Sequence, residues 1–381
     1  MTRPTRLAPY ILATLALLAW GLVPGDLASG MPLRIRESLR NDLPSRADHE
    51  RLERGYYEQI LDAGRQPGAV GGANGDGLAA HHGRLTRTVD DVREFVMIPN
   101  LVRDVPRRIP WSTNSHGMRD REYAVSKPLD TTRIALVGDS IGAGWGVNDG
   151  ETFEAALELV LDSLSKQSGG PAVEVLNFAV AGHGPGQRWS HFSAVGWAFS
   201  PDLVLYEATP ADVGWDARRL RELLARGVGW DAPVYRDVLP TDRLRPRLDL
   251  EAYKRVLEPL RWELLGGVYR AAVAECRAKG VPAVWMLIPR VGKPADAADR
   301  QRLISLARSS GFAAVFDLSD AYDGADPASL AVDTDDFHPN REGHRRIARR
   351  LLFALWNRPE LRPLWSGTGT ITKQREGADA Q

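Results

Sequence analysis

The chain has little cysteine and no excess of either charge. Cys276 is the only cysteine in 381 residues, which excludes an internal disulfide, a CxxC redox pair and a zinc site built on cysteines. It lies in a helix-like run, AAVAECRAKG, so we interpret it as a buried apolar residue. Basic and acidic residues number 49 each, and this balance argues against a nucleic-acid partner.

Charged residues are also absent from residues 7–25, LAPYILATLALLAWGLVPG, and Arg3 and Arg6 precede this run. As a helix it would be about 28 Å long, close to the hydrocarbon core of a bilayer. The pattern predicts that residues 1–30 are a signal anchor or signal peptide. The length of the run favours an uncleaved membrane anchor. A signal peptide cleaved before Met31 is the second interpretation, and a buried helix is the third. With an anchor, the remaining chain would be membrane-anchored outside the cytoplasm. With a cleaved signal peptide, it would be secreted or periplasmic.

Residues 31–130 are predicted to form an accessory segment that precedes the main domain. Apolar residues spaced four apart within residues 46–63 predict a short amphipathic helix. Residues 64–83 are rich in glycine and poor in apolar residues, which is typical of a linker or loop. His81 and His82 at its end have no acidic or cysteine residue nearby, so we interpret them as part of a solvated loop and not as metal ligands.

A regular alternation of apolar runs and helix-like stretches starts at residue 133, and the helix-like stretches are residues 151–166, 187–198, a long one within 251–279, and 297–309. The apolar runs are RIALV (133–137), VEVLNF (173–178), DLVLYE (202–207), VPAVWMLI (281–288) and AAVFDL (313–318). Strands that are apolar on both faces and alternate with helices predict an α/β fold, here a three-layer α/β/α domain with a five-stranded parallel sheet. Residues 341–357 predict a closing amphipathic helix with Asn340 as N-cap. We assign residues 131–360 to this domain and residues 361–381 to a polar tail.

The motif GDSIG at residues 138–142 places Ser140 directly after the first apolar run. It fits the nucleophile elbow of α/β-hydrolases, but that elbow follows several strands of the sheet, whereas here only one convincing strand precedes it. Ser140 could also be a helix N-cap. A phosphate loop is disfavoured because the glycines that follow do not form G-x-G-x-x-G and no lysine comes after them. Asp139 is expected to stabilise the turn.

A candidate base lies near the end of the last strand, in DTDDFHPNREGH at residues 333–344. Asp335 and His338 are three residues apart, so in a helical turn both side chains would project to one side and the carboxylate could orient the imidazole. Asp336 would then face away from His338. Since α/β folds place their sites at the carboxyl edge of the parallel sheet, Ser140 and His338 can meet there.

Together these blocks resemble the GDSL, or SGNH, hydrolase family over about residues 131–357. The first family block is matched by GDSIGAGWGV, the second by NFAVAGHG at residues 177–184 and the last by DDFHPNREGH. The resemblance implies a flavodoxin-like SGNH hydrolase fold that needs neither a metal nor an organic cofactor. It also implies Ser140, Asp335 and His338 as the catalytic residues, with the backbone amides of Ser140 and Gly182 as oxyanion donors.

One family block differs in this chain. Where family members have an asparagine that donates to the oxyanion, the chain has TPAD at residues 209–212, with Ala211 in the donor position. Loss of one oxyanion donor can lower the rate by about 10²- to 10³-fold. Thr209, Asn148 or Gln187 could supply the missing contact.

Other polar and aromatic residues have two interpretations each. His183 either touches substrate or simply belongs to its loop, and His344 is expected to be structural. Trp145, Trp189, Trp197 and Trp215 could line a sugar pocket, although core positions are the more common role of tryptophan.

The favoured function is an exported serine esterase that hydrolyses a carboxylic ester, such as O-acetyl groups on a glycan. One alternative is an O-acyltransferase that passes the same acyl group to an extracellular glycan. The other is a non-catalytic glycan-binding or scaffold protein with the same fold, and Ala211 is its main support. The expected partners are a small-molecule or glycan ester and, through residues 1–30, the membrane. The sequence does not indicate an oligomeric state.

Overall fold

The computed structural model describes residues 85–105, 109–244, 248–334 and 336–366. The predicted anchor, the amphipathic helix at residues 46–63, the glycine-rich segment with His81 and His82, and residues 367–381 of the tail lie outside the described residues. Within the described ranges, no helix is both long enough and apolar enough to cross a bilayer.

Two short antiparallel hairpins come before the main sheet. Strand β1 (Thr86–Thr88) pairs with β2 (Phe95–Met97), and β3 (Val102–Val105) pairs with β4 (Ile109–Ser112). The sequence showed only mixed character in this region, because strands of three or four residues are too short to display a period.

The central sheet has five parallel strands, as predicted. They are β5 (Thr131–Val137), β6 (Ala172–Asn177), β7 (Leu203–Ala208), β8 (Ala283–Leu287) and β9 (Ala314–Asp317), in the spatial order β6-β5-β7-β8-β9. Every residue of β7 and β8 is buried. Strands buried on both faces explain why the sequence shows continuous apolar runs here instead of alternation.

Seven helices lie between these strands or after the last of them in the described part of the chain. They are α1 (Phe153–Gln167), α2 (Pro185–Val195), α3 (Asp212–Ala225), α4 (Leu250–Leu257), α5 (Arg261–Ala278), α6 (Ala297–Ser310) and α7 (Arg341–Trp356). Side chains of α1 and α7 pack on one face of the sheet, and side chains of α2 to α6 pack on the other. The fold therefore has the three predicted layers.

Alternate side chains of β5 point to opposite faces of the sheet and belong to different cores. Ile134 and Leu136 belong to the core under α1 and α7, whereas Ala135 and Val137 belong to the core under α2 to α6. This is the two-residue period of a strand. Cys276 is buried in the second of these cores, as its sequence context predicted.

Two predictions about helices need correction. The single long helix expected within residues 251–279 is two helices, α4 and α5, separated by a 3₁₀ turn at Glu258–Leu260 that contains a proline. Helix α3 was not predicted, although Val213, Ala217, Leu220 and Leu224 follow helical spacing and are all buried.

Candidate active site

Ser140 lies in an irregular turn at the carboxyl end of β5. The Ala143 N–H donates to the carbonyl of Asp139 at 2.8 Å, and the Trp145 N–H donates to the carbonyl of Ser140 at 2.8 Å. Regular helix starts only at α1, where the Thr152 side chain accepts from the Ala155 N–H. Ser140 is therefore the first residue of a folded loop, residues 140–150, and is not a helix N-cap.

Two glycines let this turn approach the sheet closely. A Cβ on Gly138 would come within 2.1 Å of Glu207 Oε2, and a Cβ on Gly142 within 2.3 Å of the same atom. Glu207 is on β7 and has no exposed surface. The spacing of the two glycines in GDSIG is thus explained by one buried carboxyl group that lies against both of them.

His338 lies beside Ser140 although 198 residues separate them in sequence. Its Nε2 is 2.9 Å from Ser140 Oγ, and its Nδ1 is 2.5 Å from Asp336 Oδ1. The ring is fully buried. With Nδ1–H donated to the carboxylate, Nε2 is the acceptor for the serine proton, which is the arrangement of nucleophile, base and orienting acid.

The carboxylate in contact with His338 is that of Asp336, so the prediction that Asp336 faces away is wrong. That prediction assumed helical spacing, but α7 begins only at Arg341, and Asp336 and Phe337 lie in irregular chain. Asp336 Oδ1 also accepts the backbone N–H of His338 at 2.8 Å, an Asx-type turn that brings a side chain back to the residue two positions later. Asp335, the predicted acid, lies outside the described residues.

Aromatic rings cover the imidazole of His338. The Phe337 ring stacks on it at 4.1 Å between centroids, and the Trp145 indole lies 6.4 Å away. The Asn340 side chain accepts from the N–H groups of Glu342 and Gly343, which confirms the predicted N-cap of α7. His338 is therefore held between a capped helix and a packed aromatic layer. Among the tryptophans considered for a sugar pocket, Trp189 instead belongs to the core under α2 to α6.

A buried ionic network lies beneath the nucleophile turn. Arg188, on α2, is 2.6 Å from a carboxylate oxygen of Asp139 and 3.0 Å from one of Asp212. It also donates to the carbonyls of His183 and Glu207. One guanidinium thereby ties together the turn that carries Ser140, the loop after β6, the end of β7 and the start of α3.

The carboxyl groups of this network have opposite protonation preferences. Burial raises the pKa of Asp139, but the Arg188 charge and the hydrogen bonds from Glu207 and the Ile141 N–H together outweigh burial, so the pKa is lowered and Asp139 is ionised. Burial and the neighbouring charge of Asp139 raise the pKa of Glu207 well above its usual range. This upward shift favours the protonated, neutral form of Glu207 in the folded protein.

Two backbone amides are available for a developing negative charge. Gly182 has φ +90 in the loop after β6, a conformation that favours glycine. Within the described ranges, the backbone N–H groups of Ser140 and Gly182 donate to no other protein group. Both were predicted as oxyanion donors, and that role stays a prediction.

The side chains considered as a third donor are bound to other groups. Thr209 Oγ1 donates to Asp212 at 2.9 Å, and Asn148 Nδ2 donates to Glu151 at 2.9 Å. Gln187 Nε2 donates to the carbonyl of Arg93 at 3.2 Å. All three side chains thus donate to other partners, and the backbone amides of Ser140 and Gly182 stay the candidate donors.

The other two histidines near the site have structural contacts. His183 Nε2 lies 2.8 Å from the Phe95 carbonyl, and burial lowers the pKa of His183 well below its usual range, so the ring is neutral. His344 Nδ1 accepts from the Phe153 N–H at 3.1 Å, and burial lowers the pKa of His344 to about 3. His183 is thus a loop residue joined to the β1–β2 hairpin, and His344 has the structural role that was expected.

A serine, an imidazole and a carboxylate at the carboxyl edge of a parallel sheet define a serine hydrolase. A family model agrees with that class. The model of the GDSL-like Lipase/Acylhydrolase family matches residues 136–346, more than half of the chain. The chain belongs to this family and is an ester-hydrolysing serine hydrolase.

Several solved structures match part of the chain, whereas no curated protein matches it. An acetyl-xylooligosaccharide esterase from Geobacillus is 18% identical, covering 58% of this chain and 93% of its own, with a TM-score of 0.38. The psychrotrophic esterase of a Pseudoalteromonas species is 16% identical, covering 59% and 97%, with a TM-score of 0.38. A two-domain esterase active on acetylated mannans is 14% identical, covering 60% and 49%, with a TM-score of 0.39.

The neutral state of Glu207 predicts how stability changes with pH in Glu207→Gln. In the wild type, the pKa of Glu207 is higher in the folded than in the unfolded chain, so its contribution to stability falls as pH rises above the unfolded value. Glutamine cannot ionise. Urea unfolding from pH 5 to pH 9 should therefore show a smaller alkaline loss of unfolding free energy in the variant.

The matched control is Glu360→Gln, which alters an exposed carboxylate. Its stability should follow the wild-type curve across the whole pH range. A Glu207→Gln curve parallel to the wild type would show that Glu207 is already ionised in the folded protein.

Proposed function

We propose that this protein hydrolyses a carboxylic ester through an acyl-enzyme on Ser140. The observation that carries the proposal is the continuous contact from Ser140 Oγ to His338 Nε2 at 2.9 Å and from His338 Nδ1 to Asp336 at 2.5 Å. A hydroxyl is a weak nucleophile unless a base in hydrogen-bond reach accepts its proton, and His338 is such a base.

The reaction follows from these positions. His338 takes the proton of Ser140 as Oγ attacks the ester carbonyl, and the backbone N–H groups of Ser140 and Gly182 donate to the oxyanion. The imidazolium then gives its proton to the leaving alcohol. Water enters, His338 accepts one of its protons, and the hydroxide attacks the acyl carbon. The bond from the acyl carbon to Ser140 Oγ then breaks, the imidazolium returns its proton to Oγ, and the carboxylic acid is released.

The burial of the reacting groups favours a short acyl chain. Ser140 is 4% exposed and His338 has no exposed surface, so the acyl group must fit beside side chains that already pack closely. Acetate is the smallest common acyl group that satisfies this constraint. An O-acetylated glycan outside the cytoplasm would suit the predicted export signal, and that part of the proposal rests on residues 1–30 alone.

Covalent labelling tests the nucleophile. A fluorophosphonate should label the wild type at Ser140, whereas Ser140→Ala should give no label and His338→Ala should slow labelling by about 10³-fold or more, because the hydroxyl loses its base. Labelling is measured by in-gel fluorescence and located by mass spectrometry.

The control for labelling is Ser305→Ala, which changes a hydroxyl on α6 that bonds only to its own helix. It should label like the wild type. A wild type that takes up no label, or a Ser140→Ala variant that labels equally, would contradict the esterase and favour the scaffold alternative.

The two adjacent aspartates give a second test. Asp336→Asn should lower kcat/KM for an ester by up to about 10⁴-fold, because an amide cannot stabilise the imidazolium and favours the wrong tautomer. Asp335→Asn is the matched variant and should stay within a few-fold of the wild type. The opposite ranking would assign the orienting role to Asp335, as the family resemblance implies.

Acyl-chain preference tests the proposed substrate class. We expect kcat/KM for p-nitrophenyl acetate to exceed that for the octanoate ester by at least about tenfold, since each buried methylene must displace packed atoms. Product analysis in the presence of a sugar acceptor separates hydrolysis from transfer. Equal rates for both esters would remove the argument from burial, and an acylated sugar would identify an acyltransferase.

A further inference from the structure

A buried arginine outside the family-matched range lies against the loop that follows Ser140. Arg119 comes shortly after β4 and is only 3% exposed. Its guanidinium donates to the backbone carbonyls of the loop at Ala143, Gly144 and Val147, to the carbonyl of Pro110, and to the carboxylate of Asp149. The contact with Val147 is 2.7 Å and the contact with Ala143 is 2.8 Å.

The loop is bent so that its carbonyls converge on this one group. Gly144 has φ +73 and Gly146 has φ +86, and a Cβ on Gly144 would lie 2.9 Å from Arg119 Nη1. Buried carbonyls in irregular chain have no ladder partners and need donors from elsewhere. A guanidinium offers five N–H groups in a fixed plane, so a single arginine can satisfy several of them.

The same loop carries both the nucleophile and an aromatic neighbour of the base. The Trp145 N–H donates to the Ser140 carbonyl, and the Trp145 indole lies 6.4 Å from the imidazole of His338. On its other side this indole meets Trp111 at 5.6 Å, and the Arg119 guanidinium lies 3.9 Å from the centre of the Trp111 ring. A shift of Arg119 would therefore reach Ser140 through the backbone and His338 through the rings.

We propose that Arg119 is a positioning residue for the reaction, because it fixes loop 140–150 and thereby keeps Ser140 Oγ within reach of His338 Nε2. Arg119 contacts neither the reacting hydroxyl nor the imidazole, so it acts through the loop and not on the substrate. The proposal rests on the proposed function of Ser140.

The test compares Arg119→Met and Arg119→Lys with a matched control, Arg121→Met. Arg121 is two residues away and also forms an ion pair and a ring contact, with Glu158 at 3.0 Å and with Tyr123 at 4.0 Å, but it does not contact the loop. The readouts are the fraction of protein that a fluorophosphonate finally labels, the rate constant of labelling, and kcat and KM for p-nitrophenyl acetate.

A displacement of about 1 Å in reacting groups can lower a rate by about 10²-fold. We therefore expect Arg119→Met to keep the wild-type labelled fraction while its labelling rate and kcat fall by about 10- to 100-fold and KM changes by less than about threefold. Arg119→Lys should recover part of the rate, because an ammonium still offers three donors. Arg121→Met should match the wild type in rate.

Three outcomes would overturn the proposal. Arg119→Met could label at the wild-type rate, its activity could fall only in proportion to the labelled fraction, or Arg121→Met could lose as much rate. Should Arg119→Met not fold, Asp149→Asn is the deciding variant, because it removes the ion pair of Arg119 and leaves the carbonyl contacts. The labelling rate of Asp149→Asn should fall by a few-fold. An unchanged rate would count against the proposal. A wild type without label would instead refute the proposed function.

Discussion

The buried guanidinium of Arg188 is the interaction on which the geometry of the site depends. A cation without exposed surface is tolerated only when counter-charges and acceptors surround it. Asp139 and Asp212 supply the charges, and the carbonyls of His183 and Glu207 supply further acceptors. These groups come from the nucleophile turn, α3, the loop after β6 and β7, so the ionic network forms only when all four segments have reached their final places.

The network also sets which carboxyl groups next to Ser140 carry charge. The ionised Asp139 already balances the charge of Arg188, and a further carboxylate charge in the same buried volume would be costly. Glu207 therefore keeps its proton. The oxygen that lies against Gly138 and Gly142 is Glu207 Oε2, which therefore belongs to a neutral group. The turn that carries Ser140 has no additional negative charge directly beneath it.

Most of the sheet and the closing helix could be predicted because their signals are local. Five apolar runs coincide with the five parallel strands, and the stripe along residues 341–357 coincides with α7. The hairpins at residues 86–97 and 102–112 could not be found in this way, since strands of three or four residues have too little pattern. Helix α3 had a usable pattern that Gly214 and the preceding proline obscured.

The site was predictable only as far as residue types and order allow. Ser140 and His338 follow from their motifs and from the edge they share, and the structure brings them together. The carboxylate partner depends on backbone conformation: Asp336 reaches the ring through an Asx-type turn, which spacing on an assumed helix could not show. Arg188, Glu207 and Arg119 give no sequence signal at all, because their meaning lies in contacts between segments far apart in the chain.

The bonds from Arg119 to loop 140–150 have an evolutionary consequence. Apart from Asp149, its partners in the loop are main-chain oxygens, which every amino acid possesses. Exposed positions such as Asn148 can therefore change without loss of the hydrogen bonds from Arg119. A loop fixed by its backbone can exchange its exposed side chains while its path beside Ser140 is kept.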